Sequence, residues 1–333
     1  MWAYRQGRIL RGAPIEPGER RDDHSRMDTG EAAEEPIPVA VIGLGDIAQK
    51  AYLPVLAALP GVDLHLVTRD RAVLDRLGDK YRIARRYGDL DALLRRGVRA
   101  AFVHAPTEAH VPIAARLLDA GVDVYVDKPL DYGIEGARRL VELAEARGRS
   151  LMVGFNRRYA PAYVDLLARP RELTILQKNR EALPEAPRKT VFDDFIHVVD
   201  TLRFLTAGEV ATVHIRTHVC EGMLHHVVLT LSGASFTAIG IMNRVSGSSE
   251  EILEVGGGNA KRQIFHLADV VDHRGAAALR RRSDWAPATR QRGIEAICSA
   301  FLDAVRAGAT LSARDALATH ELCERIVEHA AAQ

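Results

Sequence analysis

The sequence predicts an α/β fold in which a doubly wound parallel sheet is followed by an α+β domain with a mostly antiparallel, open sheet. In the first half, short β-branched runs alternate with amphipathic helical segments, which is typical of βαβ units. These runs are apolar at consecutive positions, as expected for strands covered by helices on both faces. In the second half, four strand-like runs follow one another without an intervening helix, which indicates antiparallel pairing.

The predicted elements divide the chain into three parts. Residues 1–35 mix charges and prolines with few apolar residues, so we expect a disordered tail without the apolar run of a signal peptide, and Met27 is an alternative start. Residues 36–157 hold the parallel sheet, with strands at 39–43, 63–68, 100–106, 122–129 and 150–155 and helices at 110–120 and 134–147. Residues 158–333 hold helices at 160–168, 193–205, 293–307 and 313–331 and strands at 173–178, 211–219, 223–233, 234–243 and 250–257.

The composition excludes several classes of protein. The 333 residues carry 45 Lys and Arg against 44 Asp and Glu, so charge gives no reason to expect a nucleic acid or a membrane surface as partner. No apolar run approaches the roughly 20 residues of a membrane-spanning helix. Cys220, Cys298 and Cys323 are far apart, which excludes a disulfide scaffold and fits a reducing cytoplasm. The composition therefore excludes a disulfide scaffold, a membrane protein and a disordered chain, and we expect a cytoplasmic protein.

The first predicted strand runs directly into a glycine-rich turn, Gly43-Leu44-Gly45-Asp46-Ile47-Ala48. Gly43 allows the tight turn, and Gly45 lets a pyrophosphate approach the backbone at the helix N-terminus. Glycines also occur in ordinary strand-to-helix turns, but this strand–turn–helix context favours the GxGxxA form of the dinucleotide fingerprint. The sequence therefore predicts a Rossmann domain.

The end of the second predicted strand, Thr68-Arg69-Asp70, bears on the choice of cofactor. A hydroxyl group followed by a guanidinium suits the 2′-phosphate of NADP(H). Alternatively, Asp70 binds the ribose 2′-hydroxyl of NAD(H), and Arg69 is a surface residue. We favour NADP(H) over NAD(H).

Two segments carry candidate catalytic groups. Lys128 follows a buried strand, where it would face the ligand crevice and could polarise a substrate oxygen, unless it is simply a solvated loop residue. Asp193, His197 and Asp200 are spaced i, i+4, i+7 and would share one face of a helix. A carboxylate one turn away would orient the imidazole and raise its pKa, which makes His197 a candidate general acid/base near neutral pH. The alternative is a polar stripe that faces solvent.

Other histidines fit a polar sheet face better than a metal site. His214 and His218 alternate with Arg216 on one strand, and His225 and His226 lie on the next. No CxxC or HExxH motif accompanies them, so no metal site is expected.

Together these motifs resemble the Gfo/Idh/MocA family of NAD(P)-dependent oxidoreductases from about residue 37 to the end of the chain. The resemblance is carried by VAVIGLGDIAQKAYLPVL, APTEAH, VDVYVDKPL, GFNRRYAP, DDFIHVVDTLRFL and LSARDALATHELCERI. The segments GLGDIAQKAYLPVL, VDKPL, LMVGFNRRYAP and DDFIHVVD are especially similar to the MviM branch.

The resemblance implies a Rossmann domain followed by a domain whose open sheet forms the interface of a homo-oligomer. It implies hydride transfer between nicotinamide and a carbinol or keto carbon of a sugar, cyclitol or similar polyol. The implied catalytic residues are Lys128, Asp193 and His197. The implied substrate-binding residues are Asn156, Arg157 and Asp200. The implied cofactor-binding residues are Gly43, Gly45, Asp46, Ile47, Thr68, Arg69, Pro106, Thr107, His110 and also Lys128.

Two departures from the family pattern affect the expected site. Asp127 replaces the usual Glu before Lys128, and Phe195 replaces a Gly two residues before His197. The ring of Phe195 would either narrow the pocket or repack the helix. Two alternatives to a dehydrogenase therefore remain. One is a dinucleotide-binding sensor without turnover, and the other is a redox-assisted lyase or glycosidase-like enzyme with a tightly held cofactor.

Overall fold

The computed structural model of the protein describes residues 35–332. The predictions of a disordered tail and of an alternative start at Met27 lie outside the described residues. None of the helices in the described part of the chain has the length and apolar composition needed to cross a membrane.

The first sheet is parallel throughout, with strand order β3-β2-β1-β4-β5-β6. Its strands are β1 (Ile37–Ile42), β2 (Val62–Val67), β3 (Arg85–Tyr87), β4 (Ala100–Val103), β5 (Asp123–Val126) and β6 (Leu151–Val153). The helices between them are α1 (Leu53–Leu56), α2 (Arg71–Tyr81), α3 (Leu90–Leu94), α4 (His110–Asp119) and α5 (Ile134–Arg147), and a π-helical turn, Ala48–Tyr52, leads into α1. The strand order reverses between β1 and β4, so a ligand crevice lies beyond their carboxyl ends. The predicted doubly wound sheet is confirmed.

The second sheet has eight strands in the order β14-β13-β12-β11-β7-β10-β9-β8, and only β7 and β10 pair in parallel. Its strands are β7 (Leu173–Asn179), β8 (Thr212–Cys220), β9 (Met223–Ser232), β10 (Thr237–Asn243), β11 (Glu250–Gly257), β12 (Ala260–Phe265), β13 (Asp269–Arg274) and β14 (Ala276–Arg280). The remaining helices are α6 (Pro161–Val164), α7 (Pro187–Thr190), α8 (Ile196–Leu205), α9 (Ala288–Gln291), α10 (Ile294–Arg306) and α11 (Arg314–Ala331). The predicted open, mostly antiparallel sheet is confirmed.

Strands β12 to β14 extend the second sheet beyond the predicted elements. Their sequences, AKRQIF, DVVDHR and AAALR, mix charged residues into short runs, so the apolar pattern of a strand is weak. The buried guanidinium of Arg262 is satisfied by the carboxylate of Asp272 on the neighbouring strand, with Nε 2.7 Å from Oδ1. This pairing depends on a contact between strands that the local pattern does not reveal.

Helix α10 returns from the end of the second domain to the first sheet. Its buried face, which includes Ile297, Phe301 and Leu302, joins the core on one side of that sheet. The ring centroid of Phe301 lies 5.2 Å from that of Phe102 in β4 and 5.8 Å from that of Tyr125 in β5. The predicted domain boundary at residues 157/158 separates the strands of the first sheet from those of the second. The core of the first domain nevertheless also includes α10, which comes near the end of the chain.

Candidate functional site

A cavity of about 500 Å³ lies between the carboxyl ends of the first sheet and the ends of β7 and β11, two interior strands of the second. Residues from both domains line it. From the first they include Ile47, Asp127, Lys128, Asn156 and Arg157, and from the second Lys178, Arg180, Asp193, Asp194, His197, Glu250 and Glu251. The structure therefore brings together most of the predicted catalytic and substrate-binding residues.

The glycine turn after β1 has a geometry that fits a dinucleotide at both Gly43 and Gly45. Gly43 has φ +84°, and a β-carbon there would lie 2.5 Å from the backbone nitrogen of Ala105, so only glycine fits. A β-carbon on Gly45 would meet nothing within 4 Å, which leaves open space above the following helical turn. Asp46 pairs with Lys50 at 2.7 Å on the surface, and Ile47 lines the cavity. This open space at a helix N-terminus suits the pyrophosphate of a nicotinamide dinucleotide.

The residues after β2 bear on the choice between NADP(H) and NAD(H) that the sequence left open. The carboxylate of Asp70 caps α2, with Oδ1 accepting a hydrogen bond from the backbone nitrogen of Val73 at 3.0 Å. Thr68 is half-buried, and Arg69 is exposed and has no hydrogen-bond or ion-pair partner within residues 35–332. The guanidinium of Arg69 is therefore available to a ligand, whereas an oxygen of Asp70 is engaged by its own helix.

The turn after β4 carries Pro106, Thr107 and His110. Pro106 and Thr107 lie at the point where the strand order reverses, beside the glycine turn. His110 is only 1 % exposed, with Nδ1 2.7 Å from the carbonyl oxygen of Pro129 and Nε2 2.8 Å from that of Ala105. Both ring nitrogens are thus engaged by the backbone, so the predicted cofactor contact of His110 does not fit its surroundings. The ring instead joins the loop after β4 to the loop after β5.

Lys128 links the two domains across the cavity. Its Nζ donates to the backbone carbonyl oxygen of Asp193 at 2.6 Å, and its own backbone nitrogen donates to Oδ1 of Asp127 at 2.9 Å. Burial lowers the pKa of Lys128, and the neighbouring carboxylates of Asp127 and Asp193 oppose that effect. The ammonium group is therefore fixed in direction at the cavity lining.

The helical segment that carries the predicted acid/base groups begins with a π-helical turn, Val191–Phe195, which continues into α8. The start of the segment therefore departs from the regular α-helical geometry on which the predicted i, i+4, i+7 stripe was based. Asp193 and His197 line the cavity, but Asp200 is 1 % exposed and its carboxylate binds Arg158, with Oδ2 2.8 Å from Nε. The carboxylate of Asp200 is therefore engaged within the protein and does not line the cavity.

Asp193 has a different partner from the one predicted. Its Oδ1 accepts a hydrogen bond from the hydroxyl group of Tyr132 at 2.7 Å, and no hydrogen bond joins it to the ring of His197 in the described structure. Burial, and then the cations of Arg157 and other neighbours, lower the pKa of His197 well below its usual value. The prediction of a raised pKa is wrong, and the lowered pKa keeps the imidazole of His197 neutral at pH 7.

The cavity wall contains a carboxylate with three cationic partners that sequence analysis did not single out. Oδ1 of Asp194 accepts from the ammonium group of Lys178 and from Nη2 of Arg180 at 2.9 Å. Its Oδ2 accepts from Nε of Arg180 at 2.7 Å and from Nη1 of Arg244 at 2.8 Å. Burial raises the pKa of Asp194, but the neighbouring cations outweigh it and hold the pKa well below its usual range. The group therefore remains a carboxylate.

A second buried ion pair joins the domains beside this cluster. Nε and Nη2 of Arg157 donate to the two carboxylate oxygens of Glu251 at 2.7 and 2.6 Å. Burial raises the pKa of Glu251, but the guanidinium outweighs it and lowers the pKa to about 2. Glu251 lies directly opposite Lys178 in the pairing of β11 with β7, and burial lowers the pKa of Lys178 to about 7.

A sequence signal could have identified Lys178 and Glu251. Side chains alternate between the two faces of a strand, and Lys178 shares the buried face of β7 with Thr174 and Leu176. Glu251 likewise shares the buried face of β11 with Leu253 and Val255. A charged residue on the same strand face as apolar residues is costly to bury without a partner. Such a position therefore indicates a functional site.

Comparison with known proteins places the chain in a family. Residues 37–155 match the model of the oxidoreductase family with an NAD-binding Rossmann fold, and residues 161–274 match that of the YceM-like C-terminal domain. The chain is 33 % identical over 277 residues to the oxidoreductase YceM of Salmonella typhimurium strain LT2, an alignment that covers 80 % of this chain and 89 % of that one. The chain belongs to the Gfo/Idh/MocA family of oxidoreductases.

Solved structures of Gfo/Idh/MocA proteins have the same fold. An oxidoreductase of this family from Vibrio cholerae superposes with a TM-score of 0.84 at 32 % identity, over 89 % of this chain and 99 % of that one. The MviM dehydrogenase of Clostridium difficile superposes with a TM-score of 0.82 at 28 % identity, over 88 % and 99 %. Myo-inositol dehydrogenase Hyg17 of Streptomyces leeuwenhoekii is 33 % identical over 187 residues, which cover 53 % of this chain and 57 % of that one. The predicted resemblance to the MviM branch is confirmed.

In this Gfo/Idh/MocA protein, Phe195 does not narrow the cavity. Its side chain is fully buried in the hydrophobic core, away from the cavity lining. The π-helical turn that ends at Phe195 accompanies this placement and leaves Asp193 and Asp194 at the cavity. The ring therefore repacks the helix, and the feature that favoured a sensor without turnover is absent from the pocket.

The histidines of β8 and β9 form a surface cluster in the Gfo/Idh/MocA protein. The ring of His218 stacks on that of His226 with centroids 5.2 Å apart and meets the edge of His225 at 5.7 Å. Within the described residues, no three His, Cys, Asp or Glu side chains are placed to hold a metal ion together.

Proposed function

We propose that this oxidoreductase is an NAD(P)-dependent dehydrogenase acting on a carbinol or keto carbon of a polyol, cyclitol or sugar. The observation that carries the proposal is the convergence of Lys128, Asp193 and His197 on one cavity beside the glycine turn. The inositol dehydrogenases among its relatives support a polyol as substrate.

The side chains of the cavity suit the oxidation of an alcohol. A bound nicotinamide supplies the hydride acceptor or donor. His197, neutral at pH 7, takes the proton of the substrate hydroxyl group as the carbon becomes a carbonyl. Lys128, held by the carbonyl oxygen of Asp193, donates a hydrogen bond to the same substrate oxygen and stabilises its developing negative charge. The products are a ketone or aldehyde, reduced cofactor and one proton.

A substrate panel tests this function. Inositols, sugars and sugar acids are supplied with NAD⁺ or NADP⁺, and formation of reduced nicotinamide is followed by absorbance. We expect turnover with at least one member of the panel. Tight binding of the dinucleotide without reduction by any of them would contradict the dehydrogenase and support a sensor.

We also propose that the cofactor is NADP(H), because Arg69 is available and Asp70 caps its own helix. Arg69→Ala should then weaken NADPH binding by about 1.5–3 kcal/mol, the range for a hydrogen bond to a charged group, and leave NADH binding nearly unchanged. Nicotinamide fluorescence titrations measure both affinities. Arg147→Ala, which removes a distant arginine paired with Asp119, is the control. Equal losses for the two cofactors would contradict the assignment.

The open face of the second sheet supports a homo-oligomer as a further proposal. Ile175, Val228, Ile239 and Ile241 lie on the face opposite α8, and they form adjacent half-buried positions on three neighbouring strands. We expect light scattering to give a mass above the 36.5 kDa of one chain. Ile239→Lys should reduce this mass to that of a monomer while cofactor binding persists, because the glycine turn lies in the other domain. A monomeric wild-type protein would refute the proposal.

The cysteines support a cytoplasmic location, which we propose as well. Cys220, Cys298 and Cys323 are all free thiols, and the last two are buried. Unpaired thiols are typical of proteins from a reducing compartment.

A further inference from the structure

Two carboxylates in the wall of the cavity formed by β7, β11 and the helical segment, those of Asp194 and Glu251, have their oxygens occupied. Each carboxylate oxygen of Asp194 accepts two hydrogen bonds, from Lys178, Arg180 and Arg244. Oε1 of Glu251 accepts from Arg157 and from the hydroxyl group of Tyr163, and its Oε2 accepts from Arg157. These two carboxylates therefore have little capacity left for a ligand's hydroxyl groups.

The same wall also contains arginine and lysine N–H groups that make no hydrogen bond to the described residues. Arg157 and Arg180 each use Nε and Nη2 on a carboxylate, and neither Nη1 has a hydrogen-bond partner within residues 35–332. Among the described residues, the only fully buried polar side-chain atoms without a partner belong to two histidines, so Nη1 of Arg157 is not sealed off, and Arg157 lines the cavity. Lys178 and Lys128 each direct one of three N–H groups at a protein acceptor.

We propose that the substrate of this dehydrogenase carries a carboxylate, which binds between Arg157, Arg180 and Lys178. Arginine and lysine only donate hydrogen bonds, so their free N–H groups need acceptors. A polyol hydroxyl group brings a donor with its acceptors, whereas a carboxylate brings acceptors alone and forms charge-assisted bonds. The inference deepens the proposed function and rests on it, because it defines the substrate of the same site as an acidic polyol or sugar acid.

A bound carboxylate would also act on the proton-transfer group. Arg157, Lys178, Lys128 and Arg180 lower the pKa of His197 beyond the effect of burial. A negative charge among these cations offsets their field, so the acidic substrate makes His197 a stronger base than a neutral substrate does.

Equilibrium binding tests the inference without turnover. The full-length protein, saturated with NADP⁺, is titrated by calorimetry with two pairs of probes, gluconate with sorbitol and glucuronate with glucose. The members of each pair differ in a carboxylate at one end of the same carbon chain. We expect at least one acid to bind about tenfold or more tightly than its neutral partner, as one charge-assisted hydrogen bond provides. Glucose 6-phosphate is included to test a phosphate in the same place.

Arg180→Gln is the decisive variant, because Asp194 keeps Lys178 and Arg244 as partners and the fold retains its buried ion pairs. It should remove the preference for the acid and leave the affinity for the neutral partner within about twofold. Arg314→Gln, which removes an exposed arginine paired with Glu145, should change neither affinity.

Three results would overturn the inference: equal binding of acid and neutral partner in both pairs, no binding of either acid, or tighter binding of the phosphate ester than of both acids. An equal effect of Arg180→Gln on acid and neutral probes would overturn it as well. Failure of the proposed function is a separate result, since acids would then bind selectively while none of the panel reduces the cofactor.

Discussion

Lys128→Met and His197→Asn should leave the protein folded and able to bind the dinucleotide, yet both should slow hydride transfer severely. Neither side chain belongs to the glycine turn, so the contacts to the pyrophosphate and most of the cofactor affinity should persist. Loss of a positioned acid/base costs about 10²–10⁴-fold in rate, and loss of a donor to the developing oxyanion about 10²–10³-fold. Because both groups act on one oxygen, the double variant should lose less than the product of the two single losses.

The pH dependence of oxidation provides a further check on His197. Its neutral form accepts the proton, and its pKa lies below the usual 6.5 because of burial and the neighbouring cations. The value of kcat/KM should therefore stay level as pH falls to 6.5 and decrease only at lower pH, where His197 becomes protonated. Lys80→Met, on the exposed face of α2, should retain the wild-type rate and profile. An unchanged rate and acidic limb in His197→Asn would refute the assignment.

Gly43→Ala and Gly45→Ala should affect different properties of the protein, the first its stability and the second its affinity for the cofactor, although the two glycines lie two residues apart in one turn. An added methyl group at Gly43 meets the backbone of Ala105 at 2.5 Å on a residue with φ +84°, so the free energy of unfolding should fall by about 2–5 kcal/mol. The same methyl group at Gly45 meets no atom within 4 Å, so stability should change by less than about 0.5 kcal/mol.

The difference between the two glycines should also appear in cofactor binding. A methyl group on Gly45 would project into the space that suits the pyrophosphate, so NADP(H) affinity should fall about tenfold or more in a fully folded protein. Denaturant unfolding and fluorescence titration of each variant measure the two effects. Wild-type affinity in Gly45→Ala would show that the dinucleotide does not pass over this turn.

The sequence predicts those parts of the site that depend on local patterns. The alternation of strands and helices predicts the parallel sheet, and the position of Lys128 after a strand predicts its place at the cavity. Partners distant in sequence are not predicted. Tyr132 meets Asp193 across 61 residues, and this contact removes the carboxylate that was expected to orient His197. The spacing of polar and apolar residues within the helix does not reveal a contact with a residue so distant in sequence.

The π-helical turn also limits what the spacing of the acids could predict. A spacing argument assumes regular α-helical geometry, and Val191–Phe195 departs from it just where the acidic residues lie. Asp194, which regular geometry separates from Asp193 by 100° of rotation, instead joins it on the cavity lining. The sequence therefore identified the segment that reaches the cavity, but not which of its acids line it.

The return of α10 to the first sheet affects how the chain matures during synthesis. A nascent chain that has released residues 36–157 from the ribosome holds all six strands of the first sheet but lacks the helix that covers Phe102 and Tyr125. That apolar face lacks its cover until residues 294–306 have been translated, so we expect the N-terminal domain to complete its core only late in synthesis. A chain that ends before α10 should therefore leave this face exposed and be less stable than the full chain.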